Sequence, residues 1–136
     1  MRRLLAAVVL AIACLGCAEE TSRLSSDQEQ RLAAQGITHR ANNLMFRHTR
    51  GAGARWDDVR ASIVVTRGTV LVHRNGEIEF LYEPRSRRNC EIHRDHERIR
   101  ISAGSGKSAE AWSFAPPDDP QGWAVNMRHV VGGGAR

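Results

Sequence analysis

Four groups of side chains in this chain have the types and spacing to do chemistry. His93, Arg94, Asp95 and His96 place two imidazoles beside a carboxylate, the donor types of a zinc centre or of a small metal-dependent hydrolase. A zinc centre needs three or four converging ligands, and nothing else in the chain has ligand spacing. In a tight turn between strands the side chains alternate, so the two histidines point apart. Cys90 with any of the six histidines has the makings of a nucleophile and its base. It falls, however, on the apolar parity of its strand, where burial raises a thiol's pKa and leaves it inert. Gly104-Ser105-Gly106-Lys107-Ser108 has the letters of a phosphate-loop ending, yet the upstream glycine and the following helix are missing, so it reads as a flexible hairpin loop. Arg47, Arg50 and Arg55 flank a glycine-rich bend, Gly51-Ala52-Gly53, where three guanidiniums can close on an anionic group. The rival reading of these arginines is a solvated loop in an arginine-rich protein. There is no nucleophile elbow and no carboxylate pair at meaningful spacing. Binding is therefore expected rather than catalysis, without cofactor or metal.

A fifth residue, Cys17, concerns address rather than reaction. Arg2 and Arg3 precede an apolar run from Leu4 to Leu15, which is the pattern of a secretory signal. The run is about 12 residues, roughly 18 Å of helix, whereas crossing a ~30 Å hydrocarbon core takes about 20. Leu15-Gly16-Cys17 resembles a bacterial lipobox, which implies cleavage before Cys17 and a diacylglycerol on its sulfur. Cys14 stands where the lipobox has an aliphatic residue. Ala11-Ile12-Ala13 also offers an ordinary cleavage site, which would release a soluble secreted form, and a third reading is an N-terminal core helix. Ala18 instead of aspartate after the cysteine implies, by the sorting rule, the outer membrane with the domain facing the periplasm.

Cleavage before Cys17 removes Arg2 and Arg3, taking 20 basic residues to 18 against 15 acids, a net of +3. Lys107 is the only lysine, and so arginine-heavy a composition in an exported chain does not point to nucleic acid. Cys90 then has no disulfide partner. About 120 residues suffice for one core without cystine staples.

These groups must be positioned by a small β domain. Residues 1–16 read as the signal, with its helix. Residues 17–35 read as a polar tether carrying a short helix from Ser26 to Gln35, capped by Ser25 or Ser26 with Glu29 as the capping-box partner. Gly36 ends it. Short apolar runs then recur between Gly, Asn and charged turns, the signature of a compact antiparallel fold. Strands are expected at Asn42–Arg50, Val59–Thr66, Thr69–Arg74, Glu77–Glu83, Arg88–His93, Arg98–Ser102 and Ala109–Ala115. Asn75-Gly76 suits a two-residue type I′ hairpin that pairs Leu71 with Phe80 and Thr69 with Tyr82. That register puts Leu71, Ile78, Phe80 and Tyr82 on one face, the expected core. A three-residue loop at Thr66-Arg67-Gly68 adds Ala61, Ile63 and Val65 to it, burying more apolar surface than the two-residue alternative, which would add Ser62 and Val64. Alternation groups Cys90 and Ile92, Ile99 and Ile101, and Trp112 and Phe114. Asp119-Pro120 starts a helix to Val131 with a stripe of Trp123, Met127 and Val130, and Gly132 stops it. Residues 132–136 read as a tail.

Seven short antiparallel strands closed by a C-terminal helix with an inward aromatic resemble the bacterial pleckstrin-homology-like superfold. The resemblance covers Gly36 to Val131. It rests on the run Ser62 to His73, similar to the xVLTxxRLLV run common in such domains, and on Trp123. Trp123 lies in the first helical turn, earlier than is usual there. The resemblance implies a barrel or sandwich plugged at one end by the helix, with strand loops forming a ligand mouth at the other. In eukaryotic members that mouth holds a phosphoinositide through Lys or Arg after the first strand, the place of Arg47, Arg50 and Arg55. The expected function is a non-enzymatic envelope lipoprotein, anchored at Cys17, that binds a partner protein or an anionic headgroup as an adaptor or scaffold. The alternatives are a small metal-dependent hydrolase using His93, Asp95 and His96, and a reader of phospholipid surfaces.

Overall fold

A computed structural model of the chain describes residues 23–51, 55–83, 85–86 and 88–132. The signal segment, Cys17 and most of the tail lie outside the described residues. Helix α1 (Ser26–Gln35) leads into strands β1 (Ile37–Arg50), β2 (Asp57–Thr66), β3 (Val70–Arg74) and β4 (Glu77–Tyr82). Strands β5 (Cys90–Asp95), β6 (Arg98–Ala103) and β7 (Glu110–Phe114) follow, and helix α2 (Pro120–Val131) ends the fold. The strands form one antiparallel seven-stranded sheet in the order β4-β3-β2-β1-β7-β6-β5, curled into a half-barrel.

β1 is the hinge of that curl. It pairs with β2 along its length and with β7 from Phe46 to Arg50. Register shifts between Ile37 and His39 and between Ala41 and Leu44 break the first pairing, and each such bulge bends a strand and increases its twist. The second bulge is held by Asn43, whose φ of 57° is left-handed and whose amide donates to Ser62 Oγ at 3.0 Å. The strand begins at Ile37 rather than at the expected Asn42. Its polar early half is stabilised as strand because Ile37 to Ala41 pair with Thr66 to Ile63.

The concave face holds the core. A run of ring contacts crosses it: Trp123 to Phe114 (5.7 Å), Phe114 to Phe46 (5.0 Å), Phe46 to Trp112 (5.8 Å) and Trp112 to His48 (3.8 Å). Ile92, Ile99 and Ile101 pack beside them, and Cys90 lies against the same cluster, as the alternation requires. α2 spans the seam between the edge strands β4 and β5. Tyr82 Oη donates to the Val131 carbonyl at 3.2 Å, and Arg128 Nε donates to the Ile92 carbonyl at 3.3 Å. The helix begins as expected: Asp119 Oδ1 accepts from the Gly122 amide at 3.0 Å, with Pro120 in the first turn. Any side chain at 122 would collide with that capping carboxylate.

Two expected registers are corrected. The Asn75-Gly76 hairpin starts as anticipated, with Arg74 opposite Glu77 and His73 opposite Ile78, but a bulge at Glu79 then sets Val72 against Phe80 and Leu71 against Leu81. The core therefore takes Val70 and Val72 from β3, not Leu71. The preceding turn has the two-residue loop, with Thr66 bonded to Thr69 and Val64 opposite Leu71. Ala61, Ile63 and Val65 still face the core because both registers moved together. Val64 and Leu71 form a second cluster on the convex face with Leu24 and Leu32. α1 lies there, capped by Ser25 in a capping box whose partner is Gln28, not Glu29. Glu29 instead pairs with Arg40 of β1, while Gln35 Oε1 accepts from the hydroxyls of Thr66 and Thr69.

His73 is buried on this convex side, and neither ring nitrogen has a protein partner. Burial first, then the nearby Arg40, lowers its pKa from 6.5. The folded chain thus keeps His73 neutral while the unfolded chain takes up a proton below pH 6.5, so stability falls as pH drops through that value. The slope is up to about 1.4 kcal/mol per pH unit until the folded-state pKa is reached. Denaturant melts from neutrality down to about pH 5 should show that slope reduced in His73→Leu. An unchanged slope would assign the acid sensitivity to other groups.

Candidate functional site

The half-barrel is open at the end away from α2, and strand parity decides what faces that mouth. His48, Arg50, Glu110 and Trp112 lie on the concave face, since Arg50 pairs with Glu110 and His48 with Trp112 across β1 and β7. Arg55, just ahead of β2, and Asp57, its first residue, join them, as do Arg74 and Glu79 from the far hairpin, around a hollow of about 530 Å³. Glu79 is the anchor of the rim, 3.3 Å from Arg74 and 3.7 Å from Arg50. Arg88 closes the other side, 3.7 Å from Glu110 and 5.8 Å above the Phe80 ring.

The floor is the stacked pair His48 and Trp112, their planes 21° apart. Trp112 is 1% exposed, and its Nε1, like His48 Nε2, is buried with no hydrogen-bond partner. An indole N–H can only donate, and leaving such a group unpaired costs about 1–3 kcal/mol. Burial, then Arg50, lowers the His48 pKa, so its imidazole is neutral at pH 7.

The structure divides the three sequence-chosen arginines. Arg50 and Arg55 line the mouth, whereas Arg47, one parity step from His48, faces the convex side. Arg74 comes to the mouth from the end of β3 and Arg88 from the segment just ahead of β5; only the Asn75-Gly76 hairpin, which fixes Arg74 beside the turn, pointed toward one of them.

Neither a family model nor a curated protein matches the chain.

The other candidates are dispersed. His93 Nε2 meets Glu91 at 3.0 Å, and His96, at the exposed turn with φ 52°, lies 3.7 Å from Asp95. Among the described residues no three His, Cys, Asp or Glu gather closely enough to hold a metal ion. Burial, the leading cause, pushes the Cys90 thiol up to about 11 despite nearby Arg88. Such a thiol carries little thiolate at neutral pH and is a poor nucleophile. Gly106 to Ser108 form a single 3₁₀ turn, not a phosphate loop at a helix start. Among the described residues no helix is long and apolar enough to cross a membrane.

Proposed function

We propose that this protein is a non-enzymatic lipoprotein of the bacterial envelope, anchored through acylated Cys17 and probing its surroundings with a pleckstrin-homology-like domain. The mouth of the half-barrel takes an anionic group, carried by a partner protein or a lipid headgroup. One observation carries the reading: the partnerless, buried Trp112 Nε1 lies beneath a rim of Arg50, Arg55, Arg74 and Arg88. An incoming oxyanion accepts from that donor, and the guanidiniums supply charge-assisted bonds. Asp57, Glu79 and Glu110 temper the rim, so the ligand must displace or bridge ion pairs that are themselves weak at the surface. The seven-stranded order, the seam-filling helix and its inward Trp123 support the family assignment, and the sequence Leu15-Gly16-Cys17 supports the anchor.

The test uses the chain labelled with fluorotryptophan, because its three tryptophans occupy three different environments. Glycerol phosphate, and separately vesicles containing phosphatidylglycerol, are expected to move the Trp112 resonance and leave core Trp123 in place. Arg50→Ala and Arg74→Ala should each weaken the response by about tenfold, the loss of one charge-assisted bond. A Trp112 signal indifferent to both probes would remove the mouth as the site. The anchor is checked by mass spectrometry of the mature N-terminus, where an unmodified Cys17 would remove the lipoprotein reading.

A further inference from the structure

The convex face of the other half of the sheet carries a second, unrelated arrangement. Asp58, Arg47, Ser113, Arg100 and His93 stand directly opposite one another across β2, β1, β7, β6 and β5. Side chains in such a row have neighbouring Cβ atoms about 5 Å apart, so Arg47 and Arg100 flank Ser113. Arg98, on the same face of β6, is pinned there, donating from Nε to Ser113 Oγ at 3.2 Å and from Nη2 to the Ser113 carbonyl at 3.1 Å. Neither the Arg47 nor the Arg100 guanidinium has a hydrogen bond or ion pair with any described residue. Trp56 stands at the edge of the row with 43% of its surface exposed. Together with Asp95 these residues surround an open hollow of about 560 Å³.

We infer that this hollow is a binding site for an acidic saccharide. Its volume falls in the range of small-ligand sites, and its chemistry is mixed in a particular way. Two uncommitted guanidiniums ask for a carboxylate or similar anion. Asp58 and Asp95 ask for hydrogen-bond donors, because ionised carboxylates only accept. A bare phosphate or an anionic lipid surface satisfies the arginines and is repelled by the aspartates. A sugar acid satisfies both, its carboxylate accepting from Arg47 and Arg100 while its hydroxyls donate to Asp58 and Asp95. The exposed Trp56 ring gives the apolar face of a sugar ring a flat surface to lie on. This site shares no lining residue with the mouth, so it stands apart from the function proposed above.

The experiment is fluorine NMR on the fluorotryptophan-labelled full chain in micelles of a non-glycosidic detergent, titrated with trigalacturonate. The Trp56 resonance is expected to move while Trp112 and Trp123 stay in place. Maltotriose, of equal ring count but without carboxylates, should bind at least about tenfold more weakly, as should trigalacturonate to Arg47→Ala or Arg100→Ala. Asp58→Asn should weaken trigalacturonate while strengthening the weak response to inorganic phosphate, whose repulsion by that carboxylate is removed. The unshifted Trp123 resonance shows that each variant is folded. A stationary Trp56 resonance, or one moved as strongly by inorganic phosphate, would overturn the inference. Movement of Trp112 alone would place the saccharide at the mouth and overturn it equally.

Discussion

Trp123→Ala is expected to lower stability by about 3–5 kcal/mol, the cost of deleting a fully buried large aromatic. The indole is 1% exposed and is the contact through which α2 meets the ring cluster, touching Phe114 at 5.7 Å and His39 at 4.8 Å. Its Nε1 also donates to Asp118 Oδ1 at 3.2 Å, so truncation strips a partner from the turn that starts the helix. Met127 and Val130 of the same stripe pack into this cluster, so the cavity left by the indole loosens the seating of the whole helix. A domain of this size should lose roughly 10–20 °C in melting temperature. Thermal denaturation showing a shift of only a degree or two would mean that the half-barrel closes without the helix.

Leu32→Ala is expected to cost about 2–4 kcal/mol. Leu32 is 4% exposed and is the buried contact of α1, seated with Leu24 on Val64 and Leu71. Its loss should release the helix and bare two aliphatic side chains on the convex face. The polar contacts of Gln35 and Glu29 remain, which holds the cost below that of Trp123. Urea melts give the magnitude, and tryptic cleavage after Arg31, slow in the intact protein, should accelerate. Equal cleavage rates in variant and parent would show that α1 is not held by this contact.

Much of this architecture was legible because its signals are local. The Asn75-Gly76 turn, the Asp119-Pro120 helix start and the alternation through Cys90, Ile92, Ile99, Ile101, Trp112 and Phe114 each need only a few neighbouring residues to be read. Leu71 shows where that stops. Its assignment to the core failed because the bulge at Glu79 inserts one residue into the ladder, and a one-residue slip moves every later side chain to the opposite face. The arginine triplet is divided for a similar reason: Arg47 and Arg50 are close in sequence yet lie on opposite faces of β1 and line different hollows.

By itself, then, the sequence determined the segments: where strands and helices run, where they turn, and which parity is apolar. Those features depend on backbone preference and on periods of two or 3.6 residues, which act over short range. Only the tertiary structure decided which segments share a face. The mouth gathers Arg50 from β1, Arg74 from β3 and Arg88 from the segment ahead of β5, the convex row draws on five strands, and α1 covers aliphatics on the back of β2 and β3. Each of these depends on strand order and bulge position, which arise from burying apolar surface across the whole sheet at once.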